Sequence, residues 1–340
     1  MSKPKVLYVP TEGHTQRVFR EATFARMCEE FEVTVNDTGA ELDTDEVARW
    51  VAGCDGLVTG WGSRALAEEV FVNAPDLKII AHSAGSVRFL VTREMIDRYL
   101  LPRGVVLFSA NVAIARNVAE SAIGMLIMAS RRWIDHNAHY HQTGRWRSPD
   151  IPVNGQYLRG CKLGLISASA VAREVIRLLQ GWDIEFLVYD PYLSDEAAAR
   201  LGVRKVELNQ LFEEADHVSV HAPKLPETDN LIGREQLRRL RDGAAFVNTA
   251  RGSVIDEQAL IEEAQTGRIQ VALDVTEPEP PAPDHPFQHL PNVIISPHTA
   301  GAGHFGYLQI GETTLQALRD AFAGRPVTGA APLDRWEQLA

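Results

Sequence analysis

The chain has 340 residues, with 45 acidic against 34 basic side chains, a formal net charge of -11, and 45% hydrophobic content. That length suits about two domains of a globular protein. The acidic balance excludes a phosphate-backbone partner, because binding nucleic acid requires a basic footprint.

From the N-terminus, apolar runs predict strands at 6–9, 33–35, 56–59, 77–81 and 105–108, alternating with helices near 16–30, through 47–51 and near 66–72. Such βα alternation is the pattern of a parallel sheet. An apolar helix is expected from about 117 to 130. A second series starts at Leu163, with strands at 186–190, 218–220, 245–247, 271–273 and 293–295, and a last helix at about 305–323 follows the final strand. The Arg-Arg-Leu-Arg run at 238–241 reads as the solvated end of a helix. The proline-rich segment 278–283 reads as a stiff connector. This order permits either two consecutive domains or one domain inserted into another.

Cys28, Cys54 and Cys161 lie far apart without metal-ligand spacing, so buried reduced thiols and no metal are expected. Met1-Ser2-Lys3-Pro4 leads directly into a strand pattern without a secretory h-region. The longest apolar stretch, 122–129, falls short of the roughly 20 residues that span a membrane. A cytoplasmic protein without a membrane partner is the expectation.

The first series also carries a glycine-bearing loop, His82-Ser83-Ala84-Gly85-Ser86, after the predicted strand 77–81. His82 invites a chemical role, yet a histidine at a strand end is more often a satisfied structural group. In the second series, Lys162-Leu163-Gly164-Leu165-Ile166, an amphipathic helix and an acid closing the next strand, Asp190, have the layout of a dinucleotide-binding unit. A carboxylate at that place bonds the adenosine ribose and repels a 2'-phosphate, so NAD(H) is expected over NADP(H). Where the fingerprint reads G-x-G-x-x-G, this chain reads Ser167-Ala168-Ser169-Ala170-Val171-Ala172. Three explanations stay open: a loop that binds through helix amides and hydroxyls, a loop that has lost its cofactor, or a motif shifted onto Gly164. The last is poor, because Gly164 lies inside the strand.

Three further motifs follow predicted strands: Asn248-Thr249-Ala250-Arg251-Gly252, Asp274-Val275-Thr276-Glu277-Pro278-Glu279, and Ser296-Pro297-His298-Thr299-Ala300-Gly301. A cation to grip a carboxylate, and a carboxylate-supported imidazole to move a proton, are what reduction of a 2-keto acid requires. The carboxyl ends of strands are where open α/β sheets bind ligands.

On these motifs the chain resembles the D-isomer-specific 2-hydroxyacid dehydrogenases, over nearly its whole length. The resemblance implies two doubly wound parallel-sheet domains, Rossmann-like and flavodoxin-like, with a cofactor domain (109–301) inserted in a substrate domain (1–108 and 302–340). It implies Arg251 as the substrate-gripping cation, His298 as acid/base and Glu279 as its carboxylate partner, with Glu277 the neighbouring alternative. The cofactor contacts it implies are Ser167, Ala168, Ser169, Ala170, Val171 and Asp190, then His221, Ala222, Pro223 and Thr228, then Thr249, Ala250, Arg251, Asp274 and His298. Thr228 has the alternative of being only a helix N-cap. The substrate carboxylate falls to Ala84, Gly85 and Ser86, with Arg251 and His298. A small 2-keto or 2-hydroxy acid is the expected partner, with a homodimer formed through the cofactor domain and its apolar helix. No regulatory domain is expected after Ala340. A dinucleotide-sensing binding protein similar to the carboxyl-terminal-binding corepressors, and a formate- or phosphite-dehydrogenase-like enzyme, are the rivals.

Overall fold

The computed structural model describes residues 2–338. Residues up to Ile114, together with those from Ala302 onward, form one compact unit, and Ala115–Gly301 forms a second.

In the first unit, β1 (Lys5–Tyr8), β2 (Glu32–Val35), β3 (Gly56–Thr59), β4 (Ile79–His82) and β5 (Val106–Ser109) make an all-parallel sheet in the order β2-β1-β3-β4-β5. This is the flavodoxin-like winding. Side chains alternate across the sheet with period two. Leu7, Leu57, Ile80 and Leu107 pack on one face with Phe71 and Leu90. Val6, Tyr8, Val58, Ile79 and Phe108 pack on the other with Met27 and Leu318 of the last helix. Because helices cover both faces, the strands read as continuous apolar runs.

The second unit holds β6 (Lys162–Ile166), β7 (Glu185–Tyr189), β8 (Arg204–Lys205), β9 (His217–Val220), β10 (Ala245–Asn248), β11 (Gln270–Leu273) and β12 (Val293–Ile295). All pair in parallel, in the order β12-β11-β10-β9-β6-β7-β8. The chain winds outward in both directions from β6, so the switch point lies between β6 and β9, where a dinucleotide fold places its ligand. Gly164 is a packing glycine inside β6, since a Cβ there would lie 2.5 Å from Leu211.

Several expectations need correction. The single helix expected near 16–30 is two, Glu12–Val18 and Glu21–Glu30. Phe19 and Arg20 between them are extended, and Phe19 is buried against Tyr8 and Phe24. The apolar helix begins at Asn111, six residues early, because the Ser109 hydroxyl accepts the Asn111 N–H at 3.1 Å and starts the turn. That helix, Asn111–Ser130, is long and apolar enough to cross a membrane, against the expectation drawn from 122–129. In the fold its Ala119, Met125, Leu126 and Ala129 are part of the second unit's core. Cys28 is exposed and not buried, while Cys54 and Cys161 are buried. The 238–241 run straddles the end of helix Arg234–Arg239, and Arg239 and Arg241 pair with Glu213 and Asp216.

Candidate active site

The carboxyl edge of the second sheet carries the loops that follow β6, β9, β10, β11 and β12. The first follows β6. Ser167 stands where the fingerprint has its first glycine and is held at φ +77°, a left-handed conformation that glycine adopts without cost and serine does not. Its hydroxyl lies 3.2 Å from Asp190 Oδ2, which also accepts the Ala168 N–H at 2.8 Å. Asp190 Oδ1 accepts the Tyr192 N–H at 2.8 Å. The acid expected to meet a ribose therefore also ties down the loop. Ser169 is the N-cap of helix Ala170–Leu178, its hydroxyl facing the Ala172 N–H at 3.5 Å.

The second loop follows β9. Register sets Ile166 beside Val220 and Val220 beside Asn248, so Ser167, His221 and Thr249 form the next row. His221 is 5% exposed, and among the described residues neither ring nitrogen has a hydrogen-bond partner; the buried Thr249 hydroxyl has none either. Burial lowers the His221 pKa from 6.5 to about 3, which keeps the ring neutral. Buried polar atoms without partners are uncommon in a finished fold, and a ligand is one remedy. Ala222 is buried beside it and Pro223 half-buried. Thr228 is not a helix N-cap: it ends the turn Pro226–Thr228, and its hydroxyl donates to the Pro223 carbonyl at 2.6 Å and accepts the Leu225 N–H at 2.9 Å.

The third loop carries Arg251. Buried Asn248 shapes it, accepting the Ala250 N–H and donating to the Arg251 carbonyl, each at 2.9 Å. Arg251 is exposed, with Nη1 on the Ala250 carbonyl at 2.6 Å. At Gly252 the loop touches the one after β11: a Cβ would lie 2.2 Å from the Thr276 carbonyl carbon and 2.6 Å from the Glu277 nitrogen.

The last loop follows β12 and is wrapped around Asp274, which is 2% exposed. Oδ1 accepts the Ser296 hydroxyl and the Thr299 N–H (2.8 Å), and Oδ2 accepts the Ala300 N–H (2.9 Å). The His298 N–H bonds the Asp274 carbonyl at 2.9 Å, and His298 itself is left-handed at φ +51°. Its Nδ1 meets Glu279 Oε2 at 2.7 Å, and Glu279 is steadied by the Thr276 N–H at 3.3 Å. With Nδ1–H on a carboxylate, Nε2 is left uncommitted, and the side chain is 53% exposed. Glu277 turns away, paired with Lys224 at 3.2 Å.

In the first unit, Ala84 is buried and Gly85 and Ser86 are half-buried after β4. A Cβ on Gly85 would meet only Ile114 at 3.7 Å. His82 is a satisfied buried group, its Nδ1 2.9 Å from the Thr59 hydroxyl.

Residues 123–300 match the D-isomer specific 2-hydroxyacid dehydrogenase, NAD binding domain. A glyoxylate reductase of Korarchaeum cryptofilum is 33% identical over 292 residues, 85% of this chain and 86% of that protein. The chain belongs to the D-isomer specific 2-hydroxyacid dehydrogenase family. A D-3-phosphoglycerate dehydrogenase of Archaeoglobus fulgidus is 32% identical over 86% of this chain but only 54% of its own length, so the chain spans about half of that relative. A phosphoglycerate oxidoreductase from Rhizobium etli shares the fold, with a TM-score of 0.82 at 22% identity, covering 97% of this chain and 98% of that one.

As a member of this family the chain uses an NAD-binding domain, and its loops fit a dinucleotide. The Ser169, Ala170 and Val171 amides have no hydrogen-bond partner among the described residues, Asp190 keeps a lone pair on Oδ1, and His221 offers two unpaired nitrogens. Sequence reasoning missed Asn248 and Gly252, and it missed that Asp274 frames the His298 loop. An asparagine at a strand end with a glycine four residues on is the signal available for the first two.

Proposed function

We propose that this chain is an NAD(H)-dependent oxidoreductase that interconverts a short 2-keto acid and its D-2-hydroxy acid. The single observation that carries the reading is the His298–Glu279 pair at 2.7 Å, set on the Asp274 frame with Nε2 uncommitted. Bound NADH supplies the hydride. His298 Nε2–H protonates the carbonyl oxygen in reduction and removes that proton in oxidation, while Glu279 fixes the ring through Nδ1. Arg251 presents a guanidinium fork to the substrate carboxylate and carbonyl, which favours a near-attack pose. The amides of Ala84, Gly85 and Ser86 are the proposed carboxylate grip. For the cofactor we assign Ser167 to Val171 to the pyrophosphate, Asp190 to the adenosine ribose, and His221, Ala222, Pro223, Thr228, Thr249, Ala250 and Asp274 to the remaining contacts.

His298→Ala is expected to lower turnover by about 10²–10⁴-fold while NADH binding persists, the range for loss of a general acid. Arg251→Ala weakens keto-acid binding and turnover together. The assay follows absorbance of reduced nicotinamide with glyoxylate, hydroxypyruvate, pyruvate and phenylpyruvate. Parent-level turnover in His298→Ala rejects the assignment. Ser167 and Ser169 in the loop favour a second reading, a dinucleotide-sensing binding protein; NADH binding with no turnover on any keto acid selects it.

The proposal includes an inserted cofactor domain, action in the cytoplasm, and a homodimer. Exposed Trp133, Tyr140, Trp146 and Tyr157 crowd residues 133–157 of the second unit, more aromatic surface than a solvated face carries. Light scattering at micromolar concentration tests the dimer, and a monomer there refutes it.

A further inference from the structure

The glycine-free loop poses an electrostatic puzzle that Arg173 resolves. Arg173 is the fourth residue of helix Ala170–Leu178, whose first turn contains no acid. A cation near a helix N-terminus faces the positive end of the macrodipole and is disfavoured there. Among the described residues no carboxylate pairs with it: neighbouring Glu174 is taken by Arg177 at 2.6 Å and Arg116 at 3.8 Å. Instead Arg173 Nε donates to the Ala168 carbonyl at 2.8 Å, which tethers the guanidinium to the loop. Four of its five N–H donors are then uncommitted. They lie on the same loop and helix end as the free Ser169, Ala170 and Val171 amides. His221 is a second, independent sign of a ligand site here: 95% buried, without a partner on either nitrogen among the described residues, its backbone N–H bonded to Ile166 at the foot of the loop.

We propose that Arg173 holds the pyrophosphate of the dinucleotide, supplying by charge the contact that loop glycines otherwise provide by close backbone approach. The inference rests on the NAD(H) reading above. Ser169, as N-cap, places a Cβ and hydroxyl where the second glycine of the fingerprint would leave the backbone bare. A diphosphate standing farther from the amides still falls within reach of a long side chain with a planar fork.

NADH and ADP are titrated into the parent, Arg173→Ala and Arg173→Lys at low and high salt, with thermal unfolding of each protein alone and with NADH. Arg173→Ala is expected to bind both ligands about tenfold more weakly at low salt, the scale of one charge-assisted contact. Its affinity falls less steeply with salt, and Arg173→Lys recovers part of the loss. Without ligand, Arg173→Ala unfolds at the parent's temperature or above, since a cation has left the positive end of a helix. Equal NADH affinity in parent and Arg173→Ala overturns the inference and leaves the NAD(H) reading standing. A lower unfolding temperature without ligand, with an unchanged salt slope, also overturns it, because the role is then structural. A parent that binds neither NADH nor ADP overturns the NAD(H) reading, and this inference with it.

Discussion

Asp274→Asn changes one atom of a buried group and tests whether the frame beneath His298 is held by a carboxylate. Three donors converge on Asp274: the Ser296 hydroxyl and Thr299 N–H on Oδ1, and the Ala300 N–H on Oδ2. An amide keeps one acceptor oxygen. Set in the Oδ1 position, it retains Ser296 and Thr299 as neutral bonds, about 1 kcal/mol weaker each than charge-assisted ones. Its NH2 then faces the Ala300 N–H, and leaving that buried donor unpaired costs about 1–3 kcal/mol. Removing a buried charge offsets part of this, since the carboxylate no longer has to be desolvated. The balance is a destabilisation of about 2–4 kcal/mol, large against the usual effect of one substitution. Urea unfolding measures it as a lower midpoint at unchanged slope. Turnover falls as well, because the Ser296–Ala300 segment that presents His298 loses its anchor. A variant within about 0.5 kcal/mol of the parent refutes the argument that the carboxylate holds this loop.

Gly252→Ala places a Cβ 2.2 Å from the Thr276 carbonyl carbon, a backbone atom that cannot swing aside; we expect a loss at or above the upper end of about 1–3 kcal/mol, together with lower turnover from a displaced Arg251, and a parent-like unfolding temperature and rate contradict this. Acid should unfold the chain early. Desolvation lowers His14 from 6.5 to about 4, with Arg17 adding to it, and lowers His82 from 6.5 to about 3, with His14 adding to it. Between pH 6.5 and 4 the unfolded chain therefore binds protons that the folded chain refuses. The stabilisation is complete above pH 6.5 and lost as pH falls below it, on the order of 3 kcal/mol from His14 alone by about pH 4. Unfolding temperatures measured from about pH 7.5 to 4.5 should drop, and the double variant His14→Gln, His82→Gln should flatten the slope; an unchanged slope rules this origin out.

Periodicity alone determined much of this protein. Continuous apolar runs between helical stretches specify parallel strands covered on both faces, and the runs at 56–59 and 293–295 coincide with β3 and β12. The placement of Arg251, Glu279 and His298 at one edge of the sheet was legible because each lies a few residues past a strand, and strand ends in a parallel sheet all point one way. Local pattern is silent on what loop backbones do after they meet. That the Asp274 oxygens would be taken by residues 296, 299 and 300, and that Gly252 would press on Thr276, follow only from β10, β11 and β12 lying side by side. The sequence marked Ser167 as a departure from glycine, but only the turn into helix Ala170–Leu178 put it at φ +77° with its hydroxyl on Asp190. The family resemblance names His221 only as a cofactor contact; that its ring is buried with no partner among the described residues is seen only in the fold. Each of these depends on contacts between residues distant in the chain, and such contacts are set by packing, which no periodicity in the sequence encodes.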